Sequence, residues 1–279
     1  MANTIPTRQL KDGTIVPALG LGTWRLGENR SKRAQEIAAL QAGIDLGLTL
    51  IDTAEMYASG GAEEVVGEAV ARRREEVYIV SKAYPHHATV AGLGKACEAS
   101  LRRLRIDTID LYLLHWRGAV ALEETVRGME KLRSSGKIKA FGVSNFDRAD
   151  IQELCAIPGG DRTVVNQILY NLSRRGPEYD LIPACTRNQI AIMAYSPLEQ
   201  GRLRSQLATF SSQRGISWVQ TALAWLLARP DVLVIPKAAS SEHVREIRSA
   251  VDVQLSEDDL VELNRLFPPA KRPSTLEIL

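Results

Sequence analysis

Four side chains able to hold or move a proton stand where apolar runs end. Asp52 follows Leu48-Thr-Leu-Ile, Lys82 follows Val77-Tyr-Ile-Val-Ser, His115 follows Leu111-Tyr-Leu-Leu, and Tyr57 lies in the loop after Asp52. Burying Asp, Lys and His costs free energy unless they pair, so their joint presence calls for a reason beyond packing. Strand alternation puts Asp52 in register with Leu50, Lys82 with Val80 and His115 with Leu113, so that all three can converge. A cation beside a tyrosine favours the phenolate and lowers its pKa from about 10. Lys82 is the expected cation, and Asp52 is expected to keep it charged. His115 then supplies a second hydrogen bond. The set suits a carbonyl oxygen that gains negative charge and then a proton, with Tyr57 as general acid and Tyr57 plus His115 as donors to the oxyanion. Carbonyl reduction is that reaction.

No side chain delivers hydride, so a nicotinamide cofactor is implied. The usual dinucleotide fingerprint is missing: in Gly20-Leu-Gly22-Thr-Trp-Arg25, Arg25 replaces the third glycine and no helix is expected to begin there. Another binding mode must serve. Ser144, Asn145 and Gln167 could hydrogen-bond a carboxamide, and Tyr195 could stack on a ring. Lys237, ahead of a helix start at Ser240 or Ser241, could attract a phosphate.

The elements that must position these residues alternate along the chain. Apolar, β-prone runs at residues 18–22, 48–52, 77–82, 109–115, 140–144, 163–167, 190–195 and 232–237 read as strands. Helical patterns cover 31–46, 62–73, 90–104, 122–134, 148–156, 178–188, 217–228 and 241–251. Eight strand–helix units spell a (β/α)8 barrel over one domain, residues 1–279. Before the first strand, Lys11-Asp12-Gly13 between β-prone triplets signals a hairpin, expected to plug the barrel bottom. A further capped helix is expected from Ser256. Active sites in this fold gather at the C-terminal strand ends, which here are polar throughout: Gly22-Thr23-Trp24, Asp52-Thr, Ser81-Lys82, His115-Trp116, Ser144-Asn145, Asn166-Gln167, Tyr195-Ser196 and Pro236-Lys237. Any one of them is an ordinary strand end; eight together are not.

Composition narrows the class. Lys+Arg total 35 against Asp+Glu 33, a formal net charge of +2, too balanced for a protein whose main partner is nucleic acid or an anionic membrane. The runs Arg72-Arg-Arg and Arg102-Arg-Leu-Arg read as solvated helix ends. Cys97, Cys155 and Cys185 are far apart and form no metal or disulfide pattern. The start, Met1-Ala-Asn-Thr-Ile-Pro, has no basic, apolar leader, and a cytoplasmic monomer without metal is expected.

The motifs Asp52-Thr-Ala-Glu-Met-Tyr57, Val80-Ser-Lys82, Leu113-Leu-His115-Trp116, Gly142-Val-Ser-Asn145-Phe, Asn166-Gln167, Ala194-Tyr195-Ser-Pro-Leu198 and Ile235-Pro-Lys237 resemble, in order, the signatures of the aldo-keto reductase family. The resemblance runs from the hairpin to about Leu255. It implies a catalytic tetrad of Asp52, Tyr57, Lys82 and His115, and NADPH, with NADH as the lesser candidate, extended across the barrel mouth. It implies that Gly22, Thr23 and Trp24 border the nicotinamide and that Ser144, Asn145 and Gln167 hold its carboxamide. Tyr195 stacks on the ring, Ser196 is a further contact, and Leu198, Gln200 and Gly201 follow the pyrophosphate. Lys237, Ser240, His243 and Glu246 lie at the adenosine end. Two departures stand out: the family's usual 2′-phosphate arginine is His243, and a usual asparagine is Ile247. A weaker, pH-dependent preference for NADPH is expected from His243.

Trp24, Met56 and Trp116 are expected to line the substrate side with apolar surface, which admits many carbonyl compounds. The loop Trp116-Arg-Gly-Ala is short and little chain follows the last helix, so an open site is expected. The segments 54–62 and 170–176 look most like the bacterial methylglyoxal-reductase branch, which points to small 2-oxoaldehydes. The alternative is a nucleotide-binding regulatory protein with slow turnover. A Schiff-base barrel would need Lys82 neutral, which Asp52 opposes.

Overall fold

Runs buried on every residue, such as Leu50–Asp52, Ile109–Leu114, Val165–Leu169 and Val232–Val234, mark strands covered on both faces. The computed structural model describes residues 3–279 and shows what covers them. A hairpin of β1 (Thr7–Gln9) and β2 (Ile15–Pro17) comes first. Eight parallel strands follow in chain order: β3 (Leu21–Gly22), β4 (Leu50–Asp52), β5 (Tyr78–Ala83), β6 (Ile109–Leu114), β7 (Ile138–Ser144), β8 (Val165–Leu169), β9 (Ala191–Tyr195) and β10 (Val232–Val234). Bridges Leu19–Val234 and Gly22–Lys237 close the sheet into a barrel. A side chain at Gly22 would put its Cβ 2.9 Å from the Ile235 carbonyl oxygen, so only glycine permits this closing approach.

The helices α1 (Arg33–Asp45), α2 (Gly61–Val70), α3 (Val90–Leu104), α4 (Leu122–Ser134), α5 (Arg148–Ala156), α6 (Leu181–Arg187), α8 (Trp218–Leu227) and α9 (Ser241–Ser249) form the outer ring. Their apolar faces meet the outer face of the sheet in one large cluster. The expected helix starting at Glu178 begins later, because Gly176–Glu178 forms a 3-10 turn with proline inside it. Two helices lie outside the eight repeats. The helix expected from Ser256 is α10 (Glu257–Leu266), capped by that serine, whereas α7 (Leu203–Gln213) was not expected.

A second, smaller cluster fills the barrel: Leu10 and Val16 of the hairpin with Leu50, Val80, Leu111, Leu113, Ala140, Val165, Met193, Leu233 and Ile235. The hairpin therefore seats at the bottom, as expected. Lys11 donates to the Asp161 and Asn188 carbonyls at 2.6 and 3.0 Å, and Arg8 donates to those of Leu227 and Arg229 at 2.8 and 2.9 Å. Above this plug the same alternation continues. On six strands the uppermost interior apolar residue is followed two positions later by a polar one: Leu50 by Asp52, Val80 by Lys82, Leu113 by His115, Val165 by Gln167, Met193 by Tyr195 and Ile235 by Lys237.

Candidate active site

Lys82 is fully buried and all three of its N–H groups are engaged. It donates to Asp52 Oδ2 at 2.7 Å, to the Thr53 carbonyl at 2.8 Å and to Tyr57 Oη at 3.3 Å. Because the phenol oxygen accepts from the ammonium, its own hydrogen is left to point at whatever occupies the mouth. His115 packs edge-on against Tyr57, with ring centroids 5.8 Å apart. The structure thus brings together the four residues that the spacing singled out.

Electrostatics bear on all four expected roles and correct one. Burial pushes the His115 pKa down to about 2, with Lys82 adding to the effect, so the imidazole is neutral. Its Nδ1 is buried without a partner, and the Nε2 is therefore the atom able to face a ligand. Burial works against the charge on Lys82, but Asp52 and Tyr57 outweigh it, and the ammonium is held charged. Burial raises the Asp52 pKa above the usual carboxylate value, and the donors on both its oxygens, Lys82 on Oδ2 and Gln167 on Oδ1, oppose that rise. The correction concerns Tyr57: burial raises its pKa above that of a free tyrosine, more than the Lys82 cation lowers it. Tyr57 is a protonated donor at neutral pH, not a group poised near it.

A polar strip runs from this centre across the barrel mouth. Tyr195 Oη donates to Asn145 Oδ1 at 3.0 Å; Asn145 Nδ2 donates to Ser144 Oγ at 3.2 Å and to the His115 carbonyl at 3.1 Å. Ser144 Oγ donates to the Gln167 carbonyl at 2.9 Å, and Gln167 Nε2 to Asp52 at 2.7 Å. Gln167 Nε2 is taken up by Asp52 and by the Met193 sulfur at 2.9 Å, which leaves its Oε1 as the amide atom without a protein partner. Gly22 pairs with both Asp52 and Lys237, and Thr23 donates its hydroxyl to the Asp52 carbonyl at 3.0 Å. Trp24 is 43% exposed on the rim, with the Arg25 guanidinium 4.5 Å over its ring.

At the far rim, burial lowers the pKa of Lys237, and the nearby cations Lys32 and Arg25 add to this while Glu36 and Glu28 oppose it. Cations crowded this way are relieved by an anion. Ser240 caps α9 through the His243 N–H at 3.3 Å and leaves the earlier N–H groups of that turn for such an anion. His243 is exposed and Glu246 is half-buried, while Ile247 is buried in the outer cluster, so the position of the family's usual asparagine faces the core here. Cations and first-turn amides at one end, with amides and a tyrosine ring at the other, fit a phosphorylated nicotinamide dinucleotide. Between them, Ser196, Leu198, Gln200 and Gly201 form a strap over 196–201, with Ser196, Glu199 and Gln200 in the left-handed region at φ 48°, 47° and 53°.

Sequence reasoning missed one wall of the mouth. Tyr84 stacks on His86 at 4.9 Å and meets Trp116 edge-on at 5.8 Å, and Trp116 lies 5.0 Å from His115. Glu55, almost fully buried, accepts from the Tyr84 N–H at 2.6 Å and pairs with His87 Nδ1 at 2.9 Å, tying the loop that carries Tyr57 to the loop after Lys82. The alternation that places Val80 and Lys82 inward extends to Tyr84 and could have found it. Met56 is half-buried beside Tyr57. The stretch after the last helix, expected to leave the site open, reaches its rim: Glu277 pairs with Arg174 at 2.5 Å and the Leu279 N–H meets Tyr195 Oη at 3.4 Å. Among the described residues no cluster of His, Cys, Asp and Glu could hold a metal ion, and no helix is long and apolar enough to cross a membrane.

A barrel plugged by a hairpin, with this tetrad at its mouth, defines a class, and the chain belongs to the Aldo/keto reductase family, whose sequence model matches residues 18–267. Among its relatives, the methylglyoxal reductase YeaE of Escherichia coli strain K12 is 50% identical over 278 residues, covering 97% of this chain and 98% of that protein. The glyoxal reductase of Bacillus subtilis strain 168 is 33% identical, covering 93% and 92% of the two chains. The crystal structure of an aldo/keto reductase from Klebsiella pneumoniae in complex with NADP and acetate superposes with a TM-score of 0.96 at 50% identity, covering 99% of this chain and 100% of that one.

Proposed function

We propose that the chain is an NADPH-dependent carbonyl reductase acting on small aldehydes and ketones, with 2-oxoaldehydes such as methylglyoxal as preferred substrates. The observation that carries this reading is the arrangement around Tyr57. Lys82 spends its last N–H on the phenol oxygen, and a neutral His115 stands beside it with Nε2 uncommitted. A carbonyl oxygen placed between them accepts from both, and the charge that builds on it is met by fixed donors in a water-poor site. Tyr57 then gives up its proton, and the resulting phenolate is stabilised by the Lys82 ammonium 3.3 Å away. Asp52 and Gln167 hold that ammonium in place.

NADPH bound across the mouth supplies the hydride. Lys237 and the first turn of α9 would hold its 2′-phosphate, the strap its pyrophosphate, and Tyr195, Asn145 and Ser144 its nicotinamide end. The substrate preference is supported by the relatives that reduce methylglyoxal and glyoxal, and by the apolar wall of Trp24, Met56, Tyr84 and Trp116. Tetrad, strip and strap all come from one chain, which supports a monomer as the working unit; the cytoplasm, with its nicotinamide pool, is the proposed compartment.

The test mixes purified protein, NADPH and methylglyoxal, follows absorbance at 340 nm, and repeats the assay with Tyr57→Phe. Turnover should fall by about 100-fold or more while NADPH binding persists. A Tyr57→Phe variant of wild-type rate would remove the general-acid role, and a wild type that binds NADPH but reduces no aldehyde would remove the reductase reading.

A further inference from the structure

Arg174 bridges two segments far apart in sequence. Its Nε and Nη2 donate to Glu199 Oε1 at 3.1 and 2.8 Å, and its Nη1 donates to Glu277 Oε1 at 2.5 Å. Glu199 sits in the strap, whereas Glu277 belongs to the C-terminal segment that reaches the rim of the mouth. Three non-glycine residues of the strap are left-handed, a conformation that persists only when its surroundings enforce it. Glu199 provides that enforcement. Its side chain is 3% exposed, and its second oxygen accepts from Asn171 Nδ2 at 2.8 Å, while the same Nδ2 reaches the Ser196 carbonyl at 2.9 Å. Arg174 is in turn fixed through its own N–H, which donates to Asn171 Oδ1 at 3.1 Å. On the C-terminal side, Ser274 packs against Gly176 and the Leu279 N–H meets Tyr195, the residue immediately before the strap.

We propose that Arg174 is a positioning residue that couples the cofactor strap to the C-terminal segment, so that gripping the dinucleotide and covering the mouth are one linked event. This rests on the reading of residues 196–201 as the pyrophosphate strap. Neither carboxylate replaces the other: Glu199 sets the shape of the strap, and Glu277 passes that shape to the cover. Linkage makes the effect reciprocal, so that loosening the cover must loosen the cofactor.

The experiment measures NADPH dissociation by stopped-flow displacement in wild type, Glu199→Gln, Glu277→Lys, Arg174→Ala and the double variant Arg174→Ala/Glu277→Lys. Glu277 is 54% exposed, so its substitution leaves the fold intact, and thermal unfolding verifies this. Glu199→Gln should speed dissociation about 10-fold. Glu277→Lys, which touches nothing in the strap, should speed it roughly 5-fold, a surface-pair effect. In the Arg174→Ala background the Glu277→Lys effect should vanish, because the cycle isolates the shared residue. If Arg174→Ala is insoluble, Arg174→Gln takes its place in the cycle. A Glu277→Lys variant with wild-type dissociation, or one equally fast in both backgrounds, overturns the coupling while Glu199→Gln keeps the strap reading. Should Glu199→Gln also dissociate at the wild-type rate, the strap reading falls and the coupling with it.

Discussion

Gln167 donates its Nε2 to Asp52 Oδ1 at 2.7 Å, filling the oxygen that Lys82 leaves open, although the two residues lie 115 positions apart. With donors on both oxygens, a buried carboxylate can stay ionised and keep the neighbouring ammonium charged.

Gln167→Leu keeps the volume but removes that donor. Asp52, whose proton affinity burial already raises, would then hold Lys82 less firmly. Turnover with saturating NADPH and aldehyde should fall by about 10-fold, and stability by about 1–3 kcal/mol for the unsatisfied carboxylate. A kcat within twofold of wild type would show that Lys82 alone fixes Asp52.

The pH dependence of reduction follows from the two donors. Tyr57 acts in its protonated form, and burial raises its pKa, so its contribution is lost only as pH rises above the ordinary tyrosine range. His115, with its pKa pushed down to about 2, does not charge in the working range. The kcat for aldehyde reduction should therefore be level between about pH 6 and 9. A bell centred near pH 7 would mean that one of these two protonation states is wrong.

Stability should depend on pH through His115. Its pKa falls from 6.5 in the unfolded chain to about 2 in the fold, so the unfolded state binds the extra proton. The fold is unaffected by this group above pH 6.5 and loses stability as pH falls below it. Between pH 7 and 5 the loss amounts to about 2 kcal/mol. Denaturant unfolding of wild type and His115→Gln at both pH values should show that difference between their pH slopes; parallel slopes would argue against a buried neutral imidazole.

Cofactor choice should respond to the rim. Exposed His243 lies in the first turn of α9, the helix that Ser240 caps three residues after Lys237. His243→Arg adds a permanent, forked donor for a phosphate and should raise the NADPH over NADH ratio of kcat/KM by about 10-fold. An unchanged ratio would move the 2′-phosphate away from this helix start.

Much of the barrel was legible because the period of two that buries Leu50, Val80, Leu113, Val165 and Met193 also aims the next inward residue at the mouth. Helix α7 was not legible: its buried Leu203, Leu207 and Phe210 repeat at helical spacing, but Ser and Gln between them read as loop. The Tyr57 pKa was read from one neighbour, Lys82, while the burial that outweighs it depends on how deep the loop sits, which no sequence pattern gives. That Gln167 also holds Asp52 was not legible, because strand register fixes its direction but not which acceptor its amide nitrogen meets. The C-terminal return depends on single contacts, Glu277 with Arg174 and Ser274 with Gly176, that carry no period at all.

The hairpin beneath the barrel has a consequence in time. Arg8 bonds carbonyls 219 and 221 positions away, and Lys11 bonds one 177 positions away. A ribosome releases this segment long before its seat exists, and the seat is complete only when the last strand has joined the first. Leu10 and Val16, among the earliest apolar side chains made, should thus be among the last to leave water. A late folding step at the opening residues is the expected result, and a slow refolding phase sensitive to Leu10→Ala is where it would be seen.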